Sequence, residues 1–194
     1  QNYTGGFAGE TIGAVMTGCS VNGTESVNGT DYSGGFIGRA SNAVVAGALD
    51  HLGIQIADFP VNTVMLGCSI NGSANVSATG SSGKESGYAG GFIGEMRISY
   101  AVDCCISSLG TVSGKDYTGG FAGLATLGAV TSIDENKGLL DLVKKLLTGL
   151  LNGNITDMDI LNLVGLRPSV ISGCTIGGST ISLDASGKYA GGLV

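Results

Sequence analysis

The chain has 194 residues, 36 of them glycine, with 43% hydrophobic and only 12% charged residues. Low charge with plentiful apolar residues excludes a disordered segment, and two prolines without a glycine-every-third period exclude collagen. Nine basic against fifteen acidic residues give a formal net charge of −6, and with no basic tract a nucleic-acid partner is excluded from the reading.

In chain order, the phrase Tyr-x-Gly-Gly-Phe-x-Gly opens at Tyr3 and returns at Tyr32, Tyr88 and Tyr117; a fifth copy begins at Tyr189 as Tyr-Ala-Gly-Gly-Leu-Val. Tyr3 to Tyr32 and Tyr88 to Tyr117 are both 29 residues, while the other two spacings, 56 and 72, imply insertions. A second phrase precedes each later tyrosine: Gly18-Cys19-Ser20-Val21-Asn22-Gly23, Gly67-Cys68-Ser69-Ile70-Asn71-Gly72, Asp103-Cys104-Cys105-Ile106 and Gly173-Cys174-Thr175-Ile176-Gly177-Gly178. Two phrases recurring in fixed order mark a repeat architecture. The first unit reads as three short strands, 6–8, 14–21 and 25–27, with turn signals at Asn22-Gly23 and Asn28-Gly29. Such a unit cannot bury an apolar face alone, but stacked units can. The predicted fold is all-β: a single β-solenoid (β-helix) over 1–194, of about four to five rungs some 4.8 Å apart, forming a fragment of a larger protein. Glycine then supplies positive φ at corners and close backbone approach between rungs. A propeller is the second choice, because a blade needs about 40–45 residues.

The insertions are predicted at about 42–62 and 132–167, with a short helix at 46–52 in the first. In the second, Ser132 and Glu135 fit a capping box, and Leu139, Leu140, Leu142, Val143, Leu146, Leu147, Leu150 and Leu151 follow helical spacing up to Asn152-Gly153. Thr156 to Asp159 opens a second, shorter helix before Arg167-Pro168. The pair is read as a cover for an open side or end, with partner binding as the alternative. Membrane insertion is not expected: Asp141, Lys144 and Lys145 interrupt the greasiest stretch, and a span needs about 20 apolar residues. Gln1-Asn2-Tyr3 starts mid-pattern, so any targeting segment is expected to have been removed or never included.

Cys19, Cys68, Cys104 and Cys174 share one repeat position and are expected to form an internal ladder of free thiols, with disulfides between neighbouring rungs as the alternative. Cys105 should face the other way. No CxxC pair or histidine completes a tetrahedral metal set, and His51, the single histidine, lacks a catalytic context. Asp157 and Asp159 near Asn152 and Asn154 lack the calcium-loop pattern and are read as helix caps. Asp31 and Asp116 are read as turn residues. Tyr3, Tyr32, Tyr88, Tyr117 and Tyr189 should form an aromatic row, which stacks on sugar rings if exposed and packs rung to rung if covered. Phe7, Phe36, Phe92 and Phe121 should stack inward. Sequons at Asn2, Asn22, Asn28, Asn71, Asn75 and Asn154 matter only in a eukaryotic secretory host. No catalytic residue, cofactor or metal site is assigned.

The cores Gly5-Gly6-Phe7-Ala8-Gly9, Gly34-Gly35-Phe36-Ile37-Gly38, Gly90-Gly91-Phe92-Ile93-Gly94, Gly119-Gly120-Phe121-Ala122-Gly123 and Gly191-Gly192-Leu193-Val194 resemble the GLUG repeat of bacterial surface and secreted proteins, with Phe for Leu in four copies. The resemblance covers about two-thirds of the chain. It implies an extracellular, cell-surface β-helical stalk or adhesin-like region without catalytic activity of its own, binding a host protein or a glycan. Two alternatives stand beside it: a filament subunit stacking on itself end to end, and a β-helical polysaccharide lyase or hydrolase. The enzyme would require an acidic cluster with a basic residue on one outer face.

Overall fold

The computed structural model describes residues 2–23, 25–45, 59–82, 85–126, 169–178 and 180–194. Among them the regular elements are all strands. The first unit contains β1 (Tyr3–Gly5), β2 (Ala8–Ile12), β3 (Val15–Thr17), β4 (Ser20–Asn22) and β5 (Glu25–Gly29). The second contains β6 (Tyr32–Gly34), β7 (Ile37–Ser41), β8 (Ala43–Val45), β9 (Phe59–Val61), β10 (Thr63–Leu66) and β11 (Ser69–Ala78). The third contains β12 (Tyr88–Gly90), β13 (Ile93–Arg97), β14 (Ser99–Val102) and β15 (Cys105–Gly114). The fourth contains β16 (Tyr117–Gly119), β17 (Ala122–Thr126), β18 (Val170–Ser172), β19 (Thr175–Ile176) and β20 (Ser182–Ala185), and β21 (Tyr189–Gly191) opens the fifth.

Apart from the pair β8–β9 in the second unit, strands pair between units, not within them. The first sheet runs β1-β6-β12-β16-β21, the second β2-β7-β13-β17 and the third β3-β10-β14-β18; the fourth joins β4 and β5 through β11 and β15 to β19 and β20. Pairing in all four is parallel, and none closes on itself. Register follows the repeat: Tyr3, Tyr32, Tyr88, Tyr117 and Tyr189 lie in one row. The long pair β11–β15 absorbs its extra residues as bulges between Ile70 and Ser73 and between Ala74 and Val76.

The strand boundaries differ from expectation for two backbone reasons. The predicted strand 6–8 falls largely on the bend between β1 and β2, because Gly6 and Phe7 carry the chain around a corner. The predicted strand 14–21 is cut in two by Gly18, whose φ of +61° lies in the left-handed region. Gly67 (+59°) and Gly173 (+63°) make the same corner in later units, and Asp103 (+52°) makes it in the third.

The glycines of the Tyr-x-Gly-Gly phrase serve another purpose. None of them has positive φ. A Cβ on Gly38 would meet Thr4 N at 2.5 Å and Gly9 O at 2.6 Å, and one on Gly34 would overlap the carbonyl of Ile37. The first and second sheets therefore meet backbone to backbone across this bend, closer than any side chain permits.

Inward positions form columns of like residues. Met16 stacks under Met65 and then Ala101, Val21 under Ile70 and Ile106, and Val27 under Val76 and Val112. In the middle units each apolar side chain is covered from both sides by other apolar side chains, which is how short units share one core.

Both insertions begin at the same corner, after β7 and after β17. The first is framed by β8 and β9, an antiparallel pair with Ala43 opposite Val61 that the sequence reading did not foresee. A column of hydroxyls ties this corner. Thr63 Oγ1 donates to Ser41 O (2.6 Å), Ser99 Oγ to Arg97 O (2.9 Å) and Ser169 Oγ to Thr126 O (2.8 Å). The predicted helices at 46–52 and within 132–167, together with His51, Asn152, Asn154, Asp157 and Asp159, lie outside the described residues.

Candidate functional site

The tyrosine row is built by the first sheet, whose strands start on that residue. Successive ring centroids are 5.2, 4.7, 4.7 and 5.2 Å apart. Tyr32 and Tyr88 are only 4% and 6% exposed, so their faces are occupied by neighbouring rings and closed to a sugar. Burial, and after it the nearby Glu95 carboxylate, raises the Tyr32 hydroxyl pKa; burial dominates again at Tyr88. Phe7, Phe36, Phe92 and Phe121 stack beside this row at 4.7, 4.7 and 4.8 Å, and the last three are fully buried.

All five cysteines are free thiols. Cys68 and Cys104 are fully buried, while Cys19 and Cys174, nearer the ends of the ladder, are half-buried. From the second unit onward each ladder thiol faces two carbonyls, one two residues back and one in the preceding unit. For Cys104 these are Val102 O at 3.4 Å and Met65 O at 3.6 Å; for Cys174 they are Ser172 O at 3.5 Å and Ala101 O at 3.4 Å. Burial pushes Cys68 and Cys174 upward and takes Cys104 to about 12, so these are protonated donors and poor nucleophiles. Cys105 stands in register with Ser69 and Thr175, on the outer side.

Asp31 and Asp116 fasten the turn that precedes each tyrosine. Asp31 Oδ2 accepts from Asn2 N at 2.9 Å and its Oδ1 from Ser81 Oγ at 2.6 Å; Asp116 Oδ2 accepts from Ser86 N at 3.0 Å. Among the described residues, no group of three or more His, Cys, Asp or Glu is disposed to hold a metal ion.

One cluster escaped the sequence reading. Glu10, Arg39 and Glu95 occupy one register position on the second sheet in three successive units, immediately after the last motif glycine; Leu124 takes it in the fourth. Arg39 Nη1 lies 3.2 Å from Glu10 Oε1 and donates to the Tyr3 hydroxyl at 2.6 Å, with its guanidinium carbon 5.2 Å from the Tyr3 ring centre. Its Nε forms an ion pair with Glu95 Oε2 at 3.3 Å without hydrogen-bond geometry, and Arg97 Nε donates to Glu95 Oε1 at 2.7 Å. The signal was present as charge alternating in sign at one repeat position, which a search for identical residues passes over. This is an acidic and basic cluster on one outer face, the feature an enzyme reading requires. Its central carboxylate is nevertheless 1% exposed and faces two guanidinium groups, so it fastens units together and is not open to a substrate.

Among known proteins, the chain matches no family model, no curated protein and no solved structure. Among the described residues, no helix is long and apolar enough to cross a membrane.

Proposed function

We propose that the chain is a β-solenoid segment of GLUG-like type from a bacterial cell-surface or secreted protein, acting as a stalk or adhesive surface and not as a catalyst. One observation carries the reading: each sheet takes its strands from successive units in chain order, with the Gly-Gly-Phe-x-Gly cores in one register. A coil built this way is rod-like, lengthens by adding units, and presents its outer faces as repeating surfaces. The buried tyrosine, phenylalanine and cysteine columns supply cohesion, leaving recognition to outward side chains.

The experiment is antibody labelling of intact source cells with serum raised against this chain. Labelling without permeabilisation is expected; labelling only after permeabilisation contradicts the reading.

A further inference from the structure

The fourth sheet presents an outer face of unusual composition. Inward Val21, Ile70 and Ile106 alternate there with outward serine, threonine, asparagine, glycine and the single Cys105. Asp184 is the one charged residue among its described outward side chains, and none of them is aromatic or aliphatic. This neutrality is local, since the chain as a whole carries −6.

The polar side chains are also held in place by ladders running from unit to unit. Asn71 Nδ2 donates to Asn22 Oδ1 at 3.0 Å, Ser77 Oγ to Asn28 Oδ1 at 2.7 Å, and the Thr111 amide to Asn75 Oδ1 at 3.0 Å. Each hydroxyl and amide in these ladders has donor or acceptor capacity beyond the one bond it makes. Groups already ordered lose little entropy when a ligand arrives. At the edge of this face a shallow groove lined by Ser77, Thr79, Ser113, Lys115 and Ser186 crosses successive units along the stacking direction.

We infer that this outer face of the fourth sheet is the ligand-bearing surface, and that its ligand is a neutral polysaccharide strand lying along the stack. The inference rests on the adhesive reading above and names its ligand class. Three properties select that class. A charged polymer meets only Asp184 on the face and Lys115 at its edge, too little counter-charge to hold it. An apolar partner finds no outward apolar side chain to bury. A sugar chain carries hydroxyls that donate and accept as serine and threonine do. It also repeats along its length, so modest contacts in each unit multiply through avidity.

The test is depletion of the folded chain from solution by microcrystalline cellulose and by chitin particles, with affinity electrophoresis in dextran and in polygalacturonate. The variant Ser107→Lys/Thr111→Lys changes two exposed outward positions on β15, and Thr17→Lys changes an exposed position on the third sheet. Circular dichroism checks that both variants keep the parent spectrum. We expect retention by at least one neutral polysaccharide, weakened about tenfold or more in the β15 variant and unchanged in Thr17→Lys. Retention by none of the neutral polymers, retention by polygalacturonate alone, or equal loss in both variants overturns the inference. Binding to whole host cells without binding to these polymers also overturns it, in favour of a protein partner. Surface labelling of intact cells is an independent readout, so a failed ligand and a failed location are told apart.

Discussion

Gly34 and Gly67 illustrate two different demands on the same residue type. Around Gly67 a Cβ would have open space, but φ is +59°. Gly67→Ala is therefore expected to cost about 1–2 kcal/mol, the ordinary penalty for a left-handed L-residue. Gly67→Asp should cost less, because Asp103 already fills the equivalent corner at +52°. At Gly34 the backbone is unstrained and the space is missing: a Cβ would lie 2.7 Å from Gly94 N and 2.8 Å from Phe92 O. These are main-chain atoms that cannot rotate away. Gly34→Ala is expected to cost on the order of 4 kcal/mol or to prevent folding. Urea unfolding of the three variants measures the difference, and equal losses at the two sites would contradict this division of roles.

At the scale of elements, the second sheet is held by charge as well as by packing. Glu95 is buried between Arg39 and Arg97, so Glu95→Gln leaves two guanidinium groups with weakened partners and is expected to cost about 3 kcal/mol. Glu10 pairs with the same Arg39 from a more exposed position, and Glu10→Gln should cost less than about 1 kcal/mol. Denaturant midpoints of both variants decide this, and similar losses would mean that the buried carboxylate has no special place. The contrast also shows which parts of the site were legible in the sequence. The tyrosine, phenylalanine and cysteine columns could be read because identical residues recur at identical positions. The Glu10–Arg39–Glu95 column could not, because its members share only the property of charge. The break at Gly18 was hidden by the apolar residues on both sides of it, Val15, Met16 and Val21, which read as one strand. The hairpin of β8 and β9 was hidden because its two strands are separated by a long stretch of sequence and pair only locally.

For the molecule as a whole, buried thiols and phenols set an alkaline limit. Cys104 is raised from an ordinary 9.0 to about 12, and burial raises Cys68, Tyr32 and Tyr88 in the same direction. Below pH about 9 the Cys104 thiol holds its proton in both states, and its contribution to stability is fully present. Between about 9 and about 12 the unfolded chain releases that proton while the folded chain retains it, so stability falls as pH rises. Unfolding midpoints measured across this range should decline, and Cys104→Ala should show a shallower decline than the parent. A flat profile would contradict the burial of these groups.

The central claim is that successive units stack in register and in chain order. The five phenylalanines make it directly measurable by nuclear Overhauser spectroscopy on a sample labelled only at phenylalanine. The stack predicts ring-to-ring contacts from Phe7 to Phe36, Phe36 to Phe92 and Phe92 to Phe121, and none between Phe7 and Phe92. Missing contacts, or a Phe7–Phe92 contact that skips a unit, would contradict it.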